Sequence, residues 1–196
     1  KKNSSGTSYI DSAAKSSSIY FYDAGVYVTG DVIPQGSSIG YPRPMERASG
    51  VHVSSESKMA KSNSYKYDSL ETKKFVTDIT AATELIRVQS RTFYVGEKGE
   101  EISDYSENYS VKKNSSGTSY IDSAAKSSSI YFYDDILAST TSTQYLRASN
   151  TNVSSESKMT KSNSYKYDPL EANSFKTDIT ATDTELIRVQ SRTFYV

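Results

Sequence analysis

The sequence predicts an all-β chain built as two tandem small antiparallel β-sandwich (Ig-like) modules. Two observations carry that prediction. The stretch TELIRVQSRTFYV occurs twice unchanged, at residues 83–95 and 184–196, and most of the chain around it is also written twice. The apolar residues come in short alternating runs rich in β-branched and aromatic side chains, broken by turn-forming residues about every 8–12 positions, which is the pattern of small sandwiches. The units implied are a first repeat over 1–95, a connection over 96–111 and a second repeat over 112–196.

Taken in order, residues 1–23 recur unchanged as 112–134, an offset of 111 residues. Within them SYIDS and SIYFYD read as strands separated by a turn at SAAKSS. In the second strand Ile19 and Phe21 share one face and Tyr20 and Tyr22 the other. Tyrosine suits an outer face, where it buries its ring and keeps its hydroxyl wet.

The copies then diverge. Residues 24–50 stand against 135–150, which is 27 − 16 = 11 residues shorter. The longer segment holds three of the four prolines and five of the nine glycines. GVYVTGDVI predicts a small hairpin turning at Thr29–Asp31, while the PQGSS and YPRP pieces read as loop. Loops on a rigid scaffold are where recognition usually resides. Tyr27, Tyr41 and Arg43, with Tyr145 and Arg147 in the shorter copy, are therefore the candidate binding residues, tyrosine because its ring stacks on sugars.

Beyond Arg47 and Arg147 the copies realign, and VHVSSES, NSYKYD and KFVTDIT read as further short strands. Val76 is replaced by Lys176 in the second copy. That exchange implies a solvent-facing position and puts Phe75, Thr77 and Ile79 on the core side. In the repeated strand, Ile86 and Val88 share one parity and Phe93 and Val95 the other. A bulge near Gln89–Ser90 would bring both pairs to one face. The expected core is Ile19, Phe21, Phe75, Ile79, Ile86 and Val88, with Ile130, Phe132, Phe175, Ile179, Ile187 and Val189 in the second copy.

The connection GEKGEEISDYSENYSV carries a local charge of −4, from five acidic residues and one lysine. It reads either as an acidic linker or, in its second half, as the first strand of repeat two. In the second case repeat one lacks that strand and exposes a sheet edge, which proteins normally cover or pair.

Composition narrows the function. Lysine plus arginine equal aspartate plus glutamate at 23 each, so the charge balance gives no case for a nucleic-acid partner or a membrane surface. No apolar run approaches the roughly 18 residues of a spanning helix, so no membrane insertion is expected. The absence of cysteine excludes disulfides and thiolate chemistry. Ser-x-x-Lys spacings occur at 12–15, 55–58 and 123–126, but Lys-Thr-Gly, which would complete that catalytic set, is absent. The single histidine, His52, is Asn152 in the other copy. No catalytic residue and no cofactor is expected. Calcium is the one ion the acidic residues raise, at Asp134–Asp135, Asp78 and Asp178, although turn-forming aspartate is the ordinary role. Asn3, Asn108, Asn114 and Asn152 head Asn-x-Ser sequons, which matter only in a glycosylating source.

The expected function is thus non-enzymatic: an extracellular or cell-surface tandem-repeat protein, structural or adhesive, acting as spacer or filament subunit. Its partners would be further copies of itself, joined head to tail by strand addition, or other surface proteins. The alternative is a module that binds glycans or another ligand through loops 24–50 and 135–150.

Overall fold

The computed structural model describes residues 15–68, 75–77, 79–80, 82–135, 145–170, 175–179 and 186–195. Their strands are β1 (Ser16–Tyr22), β2 (Met59–Lys66), β3 (Val88–Val95), β4 (Ile102–Lys113), β5 (Tyr120–Tyr133), β6 (Met159–Lys166) and β7 (Val189–Phe194). All seven join one antiparallel sheet in chain order, each strand paired to the next. The chain is all-β, as expected, and among the described residues there is no helix.

The second sheet that a sandwich requires is not among the described residues, because several expected strands pair differently or not at all. In the first divergent segment, Val26 bridges Pro42, and Tyr27 exchanges backbone hydrogen bonds with residues 40–41 across a wide loop. The turn expected at 29–31 does form, with the Asp31 amide donating to the Val28 carbonyl at 3.1 Å. VHVSSES is turn rather than strand. Ser57 Oγ accepts from the Ser54 amide and Ser54 Oγ from the Glu56 amide, each at 3.1 Å, so hydroxyls take up backbone groups that a ladder would use. The described part of KFVTDIT is coil. The remaining strands have one another for partners, and a continuous meander results.

β4 is what makes the sheet continuous. Its residues Ile102–Asn108 pair with β3 on one side and Tyr105–Lys113 with β5 on the other. Residues 102–113 thus form a strand that is paired on both sides. Among the described strands, β5, β6 and β7 are the counterparts of β1, β2 and β3. SAAKSS is not a turn in the second copy, where β5 runs unbroken for 14 residues. Within that stretch Ala125 lies opposite Tyr109.

The bulge expected in the repeated strand is present in both copies. Tyr65 pairs with Val88 and Ser64 with Ser90, leaving Gln89 extra, and Gln190 is extra in the same way. Just before it, Arg87 and Arg188 take the left-handed conformation at φ 65° and 62°. Each offers its carbonyl at 2.9 Å to a lysine amide of the neighbouring strand, Lys66 or Lys166. Val88 is thereby buried on the same face as Phe93.

Two apolar clusters lie on that face. One gathers Ile19, Phe21, Tyr65, Val76 and Val88. The other gathers Ile130, Phe132 and Tyr165. Ile79 and Ile179 are half-buried against them, as are Leu85 and Val189. Position 76 corrects the expectation: Val76 is buried and Phe75 is 43 % exposed. The exchange for lysine is tolerated because the Lys176 stem lies along the cluster. Its ammonium sits 4.9 Å from the Tyr165 ring centre and donates to the Ile187 carbonyl at 3.4 Å. Ile187 is also exposed rather than buried.

Candidate functional site

The sequence-derived loop residues are not brought together as one site. Tyr27 is buried, and the Arg43 guanidinium lies 5.4 Å from its ring centre. Arg43 donates to the Asp31 carboxylate at 2.5 Å and to the Ala24 carbonyl at 3.0 Å. The hydrogen bond from the Val28 amide, then Arg43, holds Asp31 below the usual carboxylate range. Tyr41 stays exposed. Below this loop an open cleft of about 380 Å³ is lined by Asp23, Arg43, Met45, Met59 and Tyr94.

In the second copy Tyr145 packs edge-on against Phe194 with centroids 5.9 Å apart, and Lys161 Nζ lies 4.2 Å from its ring. Arg147 is bound on several sides. It donates to both Asp104 carboxylate oxygens, from Nε at 2.9 Å and Nη2 at 2.6 Å, and also reaches the Thr177 carbonyl and Asp178. Asp104 is the extra residue of a bulge, since Phe93 pairs with Tyr105 and Tyr94 with Ser103. The bulge turns its carboxylate toward the loop instead of the ladder.

The most chemically organised region is one that the sequence reading passed over, a polar seam where β3 meets β4. Glu84, from the turn before β3, accepts from Lys61 Nζ at 2.8 Å and Asn63 Nδ2 at 3.1 Å, and pairs with Arg91 at 3.1 Å. Arg91 continues to Glu107 of β4 at 3.8 Å, and the Tyr109 hydroxyl donates to Glu107 at 2.7 Å. Burial acts to raise the Glu84 carboxyl, but Lys61, Asn63 and Arg91 outweigh it and hold it below its ordinary value. Burial, reinforced by Glu107, pushes the phenols the other way: Tyr105 rises to about 12 and Tyr109 rises further. Two cations and two carboxylates balance, so the seam stores no net charge. It links β2, β3 and β4 across the sheet. The signal for it was legible in parity: Asn63, Arg91 and Glu107 each fall on the face of their strand that also holds the core.

Beside the seam, the Phe93 and Tyr105 rings stack with centroids 4.5 Å apart and planes at 17°. β7 carries the same sequence as β3 but has no strand beyond it among the described residues. Its counterpart residues are more exposed, Phe194 at 55 % beside Tyr145 and Tyr195 at 46 %. Among the described residues β1, the other end of the sheet, has one strand neighbour, β2, and its Tyr22 also bridges Glu46.

Among the described residues no group of three His, Cys, Asp or Glu side chains is placed to hold a metal. Asp134 accepts from the Lys158 amide at 2.7 Å and Asp135 from Asn152 at 3.2 Å. Asp78 lies outside the described residues. His52 Nδ1 meets Glu46 at 2.7 Å, and this contact holds the Glu46 carboxyl below its ordinary value. No protein family, curated protein or solved structure matches this chain.

Proposed function

We propose that the chain is a non-enzymatic structural or adhesive protein of the extracellular space or cell surface, a spacer or filament subunit. Its repeats extend a single sheet, and its copies associate through the sheet ends. The observation that supports this reading is a sheet whose end strands, β1 and β7, each have one strand neighbour among the described residues, while its internal joint, β3 to β4, is built from the same strand sequence that stands at one end. An edge strand with unpaired N–H and C=O groups is a template for another strand. A contact that uses a different surface on each partner does not close by two-fold symmetry, and so propagates.

Sedimentation velocity over a concentration series, with negative-stain microscopy of the same samples, tests it. The expected result is growth in mass with concentration and thin unbranched filaments. A monomer persisting into the millimolar range would overturn it.

A second reading, recognition of a glycan by the loop of repeat one, is favoured by the exposed ring of Tyr41 and the nearby cleft beneath Arg43. Tyr41→Ala should then abolish glycan-array signal without changing stability.

A further inference from the structure

Among the described residues β7 has no strand beyond it, whereas β3, of the same sequence, has one. Residues 184–195 repeat residues 83–94 without a change. β3 and β7 keep the same register on β2 and β6, including the same bulge opposite Tyr65 and Tyr165. What β3 holds on its other side is β4. Ser90 faces Asn108, Arg91 faces Glu107, Thr92 faces Ser106 and Phe93 faces Tyr105. A strand of that sequence laid on β7 would meet Ser191, Arg192, Thr193 and Phe194 in the same order. Arg192 would then stand opposite a glutamate and Phe194 opposite a tyrosine ring, the chemistry that the polar seam and the ring stack already display at β3.

Direction points to the same partner. In a seven-strand meander the first and seventh strands run the same way. Two chains joined β7 to β1 in the same orientation would therefore pair in parallel, unlike every other pair in the sheet. One interposed strand restores the antiparallel alternation and brings each repeat to four strands. β4 is also built for both neighbours, since it pairs with β3 through Ile102–Asn108 and with β5 through Tyr105–Lys113. The β5 residues Ser127–Ile130 that receive it are Ser16–Ile19 in β1, at the offset of 111. β1 thus presents the second half of the same site.

We infer that a strand of the β4 sequence, presented by a further copy of the repeat, docks on the β7 edge with Glu107 opposite Arg192, and that its far edge then accepts β1 of another chain. This deepens the strand-addition reading and rests on it. Main-chain bonds would supply affinity and the alternate side chains specificity, as in other strand-addition interfaces.

The test uses the full chain and a synthetic peptide of residues 96–113, with a scrambled peptide as control. Titration calorimetry should show binding of the native peptide only. A peptide carrying Glu107→Lys should bind at least tenfold more weakly, and Arg192→Glu in the protein should restore it, a charge exchange that a nonspecific edge would not obey. Because the strand has two edges, sedimentation should show assembly promoted near equimolar peptide and suppressed in excess, when every edge carries its own peptide. Equal binding of the scrambled peptide, or none by either, overturns the inference. If the protein self-associates while the native peptide neither binds nor alters the sedimentation, the docking assignment fails and the filament reading stands. If the protein alone stays monomeric yet the peptide binds with the charge exchange, self-association fails and the docking assignment stands.

Discussion

At the scale of single residues, burial on one face of the sheet decides most of the stability. Phe132 is 5 % exposed beside Ile130 and Tyr165, so Phe132→Ala should cost about 3–5 kcal/mol in urea unfolding. Phe75→Ala should cost less, since Phe75 is 43 % exposed. The parity of Ile19 and Phe21 was legible because both sit in an uninterrupted strand. Position 76 was not, because period-two logic fails in coil and because a lysine stem can cover an apolar cluster. Arg147 supplies a second contrast. Its two-pronged pair with Asp104, both side chains largely buried, means that Arg147→Ala should cost about 3 kcal/mol. Arg47 keeps one of these bonds, donating to the Thr77 carbonyl at 3.3 Å. The titratable groups of the seam set pH limits on both sides. Glu84 is lowered on folding, so its contribution is complete above its ordinary value of 4.5 and is lost as pH falls through the lower folded value. Tyr105 and Tyr109 are raised, so the folded state is unaffected below pH 10 and loses stability above it, as the unfolded phenols ionise first. Acid and alkaline unfolding curves, with phenolate absorbance at 295 nm, check both directions. A phenolate titration complete before the alkaline unfolding transition would contradict the upper limit.

At the scale of elements, the bulged strand could be read from the sequence, and the role of β4 only half could. The apolar parity of TELIRVQSRTFYV jumps once, and one extra residue repairs it, which is what Gln89 and Gln190 do. ISDYSENYSV alternates as a strand should, but its acidic residues made a solvated linker equally plausible. Two of those residues are used inside the fold, Asp104 on Arg147 and Glu107 on Arg91, and their partners come from segments distant in the chain. VHVSSES failed as a strand for a local reason, since serine hydroxyls satisfy the backbone of a turn there. Ser106 pairs with Thr92 on one side and Ser129 on the other. Ser106→Pro would remove an N–H from the centre of the sheet and should cost about 3 kcal/mol or more. A linker at this position would tolerate the change, so an unaltered urea midpoint would count against the sheet.

At the scale of the whole molecule, repetition and register together set the shape. Phe93 stands level with Phe21 through Lys61, and level with Ile130 through Tyr105. Ile130 is the counterpart of Ile19, not of Phe21, so the pattern steps by two residues from one repeat to the next. At about 3.3 Å per residue that is a shift of roughly 7 Å along the strands. Further repeats would continue the step as a slanted ribbon, an arrangement whose stability is a sum of unit and nearest-neighbour terms. The repeats were visible in the sequence from the first alignment; the single sheet was not, since only the pairing of β4 on both sides distinguishes a ribbon from two beads. Amide hydrogen exchange across residues 96–113 tests that pairing most directly. Continuity predicts that amides of 103–110 are protected to the same degree as those of β5, while 97–100 exchange freely in the turn. Rapid exchange throughout 103–110, beside protected neighbours in β3 and β5, would contradict it.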